Sequence, residues 1–277
     1  MASTSSSTKR ILLQSNVKPL HYDVTFHLNL PSTFEYTGEA KIFVQVLKET
    51  NAIELHSLDT RLEASDISFQ GQTATRIETK KDTESVLIHF DKPFTKTSDD
   101  HSECLHIKKF VAELNNKMAG FYRSPYESDD KKQRVMAITQ FEPTDARRAF
   151  PCFDEPALKA TFAIAVIVPK IDKESGQRWN VLGNMPVAKR EPLTSDADYD
   201  IVRFDTTPKM STYIVALVVA LEKDYQCVSK MITTHKTKKQ VMVRVWARRP
   251  EEGEFALDVG ARILSYFGEY FGIDYPL

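Results

Sequence analysis

From Tyr22 to Leu30 the chain alternates strictly: Tyr22, Val24, Phe26, Leu28 and Leu30 are apolar, while Asp23, Thr25, His27 and Asn29 are polar. A period of two is the mark of a strand with one face buried. The pattern returns in Ala40 to Val46, after the turn residues Pro31, Ser32 and Gly38, with Ala40, Ile42, Val44 and Val46 facing inward. The two runs predict antiparallel neighbours. Shorter apolar runs predict further strands at 52–56, 62–69, 73–78, 85–90, 104–111, 135–140, 160–168, 200–204 and 211–221, separated by polar or proline-bearing turns such as Asp91-Lys92-Pro93 and Thr206-Thr207-Pro208. No helical period stands out in the first 220 residues, so the expected class is mainly β, a large antiparallel sandwich or curved-sheet domain.

Beyond Asp224 the period changes. One strand is predicted at 240–246, and then Phe255, Val259, Ile263, Tyr266, Phe267 and Tyr270 fall on a single helical face. Pro250 with Glu251, Glu252 and Glu254 provides a helix start, because proline fits the first turn and carboxylates suit the positive helix end. Gly272 provides a stop. A lone strand and one helix cannot bury so wide an aromatic face, so residues 224–277 are expected to open a second domain that this chain leaves incomplete. The expected division is a flexible tail over 1–12, a β-domain over 13–223 and that incomplete portion over 224–277.

Charge and cysteine content remove several function classes. Lys plus Arg number 37 and Asp plus Glu number 38, so no global field draws nucleic acid or an anionic membrane. The basic stretch Lys230 to Arg249 has Trp246 as its aromatic residue and is expected to be a solvated hairpin. Three scattered cysteines, Cys104, Cys152 and Cys227, contain no CxxC pair and point to a reducing compartment. The opening MASTSSSTKR is not shaped like a signal peptide, and the apolar stretch Tyr213 to Leu221 is too short to span a bilayer. A soluble, cytoplasmic protein is expected. GxGxxG, P-loop and GxSxG patterns are absent, and a glycosidase carboxylate pair such as Glu142 with Asp145 has no support from spacing.

Chemistry concentrates in Gln140 to Pro156, QFEPTDARRAFPCFDEP. Its three prolines forbid a continuous helix or a central strand. Four carboxylates and two arginines alternate there with three phenylalanines, a mixture suited to a rigid, part-buried loop that fixes charged heads in place. Asp145, Arg147, Arg148, Asp154 and Glu155 are expected to pair and pin the loop. Gln140 and Glu142 differ: two residues apart at a strand end, they point to one side. A carboxylate beside an amide can hold a protonated amine and the neighbouring peptide carbonyl.

The run Gln140 to Phe162, QFEPTDARRAFPCFDEPALKATF, resembles the signature of the zinc aminopeptidases that include aminopeptidase N and the puromycin-sensitive enzyme. NVKPLHYD at 16–23, MAGFYR at 118–123, PKMSTY at 208–213 and FGIDYPL at 271–277 carry the same resemblance. It implies a saddle-like β-domain followed by the truncated start of a thermolysin-like catalytic domain. It also implies that Glu142 binds the α-ammonium group of a peptide with a free amino terminus and that Gln140 contacts its first residue. An amino terminus, with a pKa of about 8, is charged where an internal amide is not, so such a site selects chain ends.

Such an enzyme holds zinc through an H-E-x-x-H helix and a distant Glu, and carries a G-x-M-E-N loop. None of the seven histidines here is followed by Glu, and the G-x-M-E-N pattern is missing. The chain by itself is therefore expected to bind no metal and turn over no substrate, with zinc and catalysis belonging to a missing catalytic domain. His101 and His106 are the nearest imitation of a metal site, but their odd spacing sends them to opposite faces of a strand. The alternative expectation is a short product acting as a non-catalytic β-domain, a binding or regulatory module that uses the Phe255 to Tyr270 face as its contact surface.

Overall fold

The computed structural model describes residues 12–98 and 101–275. The tail expected at the amino terminus lies outside them, apart from Leu12. The chain is mainly β and forms two compact units, residues 12–126 with 133–219 and residues 127–132 with 220–275.

In the first unit the largest sheet has nine strands among the described residues. Its order is Val187–Leu193, Asp196–Phe204, Thr161–Pro169, Val17–Leu28, Glu35–Val46, Glu103–Glu113, Ile67–Phe69 and Gln72–Thr73, with Thr60–Leu62 also paired to Glu103–Glu113. Every pairing in it is antiparallel except Val17–Leu28 against Thr161–Pro169, where Tyr22 lies opposite Phe162. The predicted alternation holds at both opening strands: Tyr22, Val24, Phe26, Leu28, Ala40, Ile42, Val44 and Val46 are fully buried.

Two smaller sheets pack on this one. Gly120–Glu127, Gln133–Gln140, Leu217–Leu221 and Trp179–Gly183 form one; Thr50–His56, Ser85–Phe94 and Arg76–Lys80 form the other. Phe121 of the first meets Phe26 at 5.7 Å and Tyr36 at 5.4 Å between ring centroids. Phe94 of the second meets Phe69 at 4.6 Å. Sheet-on-sheet contact through edge-to-face aromatic pairs is how these layers share one core.

Four local expectations are corrected. Gly38 is not a turn residue but lies within Glu35–Val46, where the Phe110 ring fills the space a side chain would need. Asp91-Lys92-Pro93 do not end a strand; Ser85–Phe94 runs through them with a register shift opposite Thr50 and Ala52. The predicted strand 62–69 is interrupted by a 3-10 turn at Ala64–Asp66. The predicted strand 211–221 begins instead with a 3-10 turn, Thr212–Ile214, because the Thr212 side chain is held by Asp154.

In the second unit the expected lone strand is a hairpin, Gln226–Thr233 paired with Gln240–Ala247, and the helix Pro250–Phe271 packs on both strands. Pro250 starts it and Gly272, in the left-handed region at φ 65°, ends it, as the sequence predicts. The buried face is a different one from the aromatic stripe. Gly253, Leu257, Ala261 and Gly268 are buried, whereas Phe255, Ile263, Tyr266, Phe267 and Tyr270 are exposed. The helix approaches the hairpin through its small residues: a Cβ on Gly253 would stand 2.9 Å from Val228. Among the described residues no helix is long and apolar enough to cross a membrane.

Candidate functional site

The strand Gln133–Gln140 delivers the chain to the loop, and Phe141 is the first anchor. Phe141 is buried and meets the Phe150 ring at 6.2 Å. Phe150 in turn stands edge-on to Phe26 at 6.0 Å and to Tyr22 at 6.2 Å. The loop is thereby fixed by its aromatic residues in the core that the sheets share. Gln140 and Glu142, on either side of buried Phe141, are both exposed. The Gln140 amide donates to the Glu142 carbonyl at 3.3 Å, so the carboxylate itself stays open to solvent.

Behind this pair the charged residues hold the loop together. Asp154 is buried and accepts from Arg147 Nε at 3.0 Å, from the Arg147 backbone N–H at 3.3 Å and from the Thr212 hydroxyl at 2.6 Å. Arg147 also donates to Glu84 at 3.0 Å and to the Asp154 carbonyl at 3.2 Å. A buried ion pair repays its desolvation only when its remaining lone pairs and protons are satisfied, and here five donor–acceptor contacts meet that condition. Arg148 donates to Asp145 at 2.7 Å and pairs with Asp59. Glu155 accepts the Leu13 backbone N–H at 2.7 Å, fastening the start of the described chain to the loop.

Partners distant in sequence complete the frame. His56 and Cys152 exchange backbone hydrogen bonds at 2.9 and 3.1 Å, and His56 Nδ1 accepts the Asp154 N–H at 3.2 Å. Burial, reinforced by the neighbouring Arg147 guanidinium, pushes the His56 pKa down to about 4, so the ring is neutral and its Nδ1 is free to accept. Tyr36 donates to the Ala149 carbonyl at 2.9 Å, and Tyr22 accepts the Phe153 N–H at 3.1 Å. Burial holds the Cys152 thiol, beside Asp154, well above the ordinary range, so it is an inert packing group rather than a nucleophile. The sequence does not single out His56, Glu84, Thr212, Asp59 or Tyr36, and it marks Tyr22 only as an inward-facing strand position. The available signal was a polar residue ending an apolar run, as His56 ends Ala52 to His56.

Zinc does not fit these residues. Among the described residues no group of three or more His, Cys, Asp or Glu side chains is arranged to hold a metal ion. His101 pairs with Glu103 at 2.8 Å and His106 with Glu39 at 2.7 Å, each with its own carboxylate. Gln140 and Glu142 leave an amide and a carboxylate exposed on either side of an anchored phenylalanine, and a carboxylate is the group that can hold a cationic amine by charge-assisted hydrogen bonds.

Residues 18–214 match the Peptidase M1 N-terminal domain, and the chain is a member of that family. It is 39% identical over 270 residues to aminopeptidase 2 of Candida albicans, covering 97% of this chain and 26% of that protein. Puromycin-sensitive aminopeptidase of Caenorhabditis elegans is 33% identical over 276 residues, and endoplasmic reticulum aminopeptidase 1 of Rattus norvegicus 34% identical over 272, covering 99% and 96% of this chain. The chain spans about a quarter of the length of the curated relatives it matches.

Proposed function

We propose that this chain is the amino-terminal portion of a zinc-dependent aminopeptidase, and that its loop recognises the amino end of a peptide. Glu142 binds the substrate's α-ammonium group, and Gln140 contacts the first residue. The observation that supports this reading is the exposed amide and carboxylate on either side of buried Phe141. A fixed carboxylate stabilises a charged amino terminus and gives an internal amide nothing comparable, which makes the reaction exopeptidic. Zinc is the cofactor of the complete enzyme and is held by residues outside this chain. A cytoplasmic setting belongs to the same reading and is supported by the three unpaired thiols of Cys104, Cys152 and Cys227.

The test is Glu142→Gln in the full-length enzyme that contains this chain. The loss of a desolvated ion pair with the amine is expected to cost about 2 to 4 kcal/mol in kcat/KM, read with an aminoacyl p-nitroanilide. Unchanged kinetics would remove Glu142 from the site. A second reading, a non-catalytic β-domain made as a short form, is favoured by the exposed stripe of Phe255, Ile263, Tyr266, Phe267 and Tyr270. Size-exclusion chromatography of the 277-residue chain separates the two, since a specific dimer supports the second reading and a monomer counts against it.

A further inference from the structure

We propose that Arg148 is a positioning residue that sets the direction of Glu142, a proposal that rests on the assignment of Glu142 to the substrate amine. The chain reverses immediately after Phe141: the Asp145 N–H donates to the Phe141 carbonyl at 2.8 Å and closes a turn that contains Glu142, Pro143 and Thr144. Glu142, Pro143 and Thr144 are all exposed, so packing does little to fix their orientation. The turn is fixed instead at its two ends. Buried Phe141 holds the first, and Asp145 the second.

Arg148 holds Asp145. It sits on the 3-10 turn Ala146–Arg148, and its Nε donates to Asp145 Oδ1 at 2.7 Å while its Nη1 pairs with the Asp59 carboxylate across the fold. The Arg148 N–H also donates to the Asp145 carbonyl at 3.1 Å. A planar guanidinium with two directed donors fixes both carboxylates at once, which a single ammonium point charge cannot do.

The stem of Arg148 is clamped as well. Gly120, at φ 71°, approaches so closely that a Cβ there would lie 2.7 Å from Arg148 Cβ. Gly120 begins the strand neighbouring Gln133–Gln140 in the same sheet, so the strand that delivers Gln140 also has its neighbour pressed on Arg148. Arg147 acts elsewhere, on Asp154 at the far end of the loop. The two adjacent arginines thus divide the loop, with Arg147 fastening the segment that enters the core and Arg148 the turn that projects from it.

The experiment is a double-mutant cycle in the full-length, zinc-loaded enzyme, with alanine p-nitroanilide as the probe. The variants are Arg148→Ala, Arg148→Lys, Glu142→Ala and each Arg148 variant combined with Glu142→Ala. Arg148→Lys retains the charge and carries the test should Arg148→Ala fail to fold. A misaimed Glu142 is expected to raise KM on the order of 10-fold with kcat little changed, short of the roughly hundredfold cost of a full 1 Å misplacement. In the Glu142→Ala background the same Arg148 change is expected to have almost no effect, because the group it positions is gone. An equal loss in both backgrounds, or wild-type kinetics for the Arg148 variants beside an impaired Glu142→Ala, would overturn the positioning role and leave the amine site standing. Wild-type kinetics for Glu142→Ala would overturn the amine site and the positioning role together.

Discussion

Asp154→Ala removes the anion around which the loop is assembled, and its cost follows from the geometry. The side chains of Asp154 and Arg147 are 2% and 9% exposed, so the guanidinium cannot turn to water when its partner is deleted. Removing one member of a buried pair costs about 3 to 5 kcal/mol, because the charge left behind has been desolvated without compensation. Two contacts survive here, Arg147 to Glu84 at 3.0 Å and Arg147 to the Asp154 carbonyl at 3.2 Å, which places the expected cost at the lower end. The Thr212 hydroxyl and the Arg147 backbone N–H lose their acceptor as well. Taking about 3 kcal/mol and about 2 to 4 °C per kcal/mol for a unit of this size, the transition of the β-rich unit should fall by roughly 6 to 12 °C. Thermal unfolding of the 277-residue chain by far-ultraviolet circular dichroism measures it. The double variant Arg147→Met with Asp154→Leu should lose less than the single change, since it buries no unpaired charge. A fall below about 2 °C for Asp154→Ala, the effect of an ordinary surface pair, would refute the claim that this network holds the loop.

His56 is held neutral with a folded pKa of about 4, against about 6.5 when unfolded, so its contribution is complete above pH 6.5 and is lost as pH falls from 6.5 towards 4. Protonation would set an N–H of the ring against the Asp154 N–H; His56→Asn should flatten stability across that window in a urea series, and an unchanged slope would contradict the assignment. Gly38→Ala places a Cβ 2.2 Å from the Phe110 ring and should cost at least about 1 to 3 kcal/mol by overpacking, checked by chemical denaturation. In the second unit Gly253→Val should loosen the helix from the hairpin, seen as faster hydrogen exchange over 226–247, because the Cβ alone already stands 2.9 Å from Val228; wild-type protection there would count against close packing through the small-residue face.

The parts of the fold legible in the sequence are those where one face is buried and the other is not. Tyr22 to Leu30 and Ala40 to Val46 advertise their strands because inward and outward positions differ chemically. Val187–Leu193 was missed for the opposite reason: it is an edge strand with no buried residue, so it has no alternation to read. The Gln226–Thr233 strand is likewise exposed or half-buried along its length. Helix limits were readable because Pro250 and Gly272 act locally on φ and on the N–H inventory. Which helical face packs was not readable, since the hairpin accepts a close approach at Gly253 and leaves the larger aromatic residues outside. At the site, the loop announced itself through its clash of prolines, charges and aromatics. Its partners did not, because the contacts from His56, Glu84, Thr212 and Asp59 span from 58 to 98 residues of chain and no local pattern encodes them.

The most direct test of Glu142 as the amine-binding residue is a difference in binding rather than in rate. Calorimetry on the full-length enzyme would compare a non-hydrolysable peptide analogue bearing a free amino terminus with the same analogue lacking the amine, for the wild type and for Glu142→Gln. The wild type is expected to prefer the amine-bearing ligand, and Glu142→Gln to lose most of that preference while binding the other ligand as before. An undiminished preference in Glu142→Gln would contradict the assignment of Glu142 to the amine.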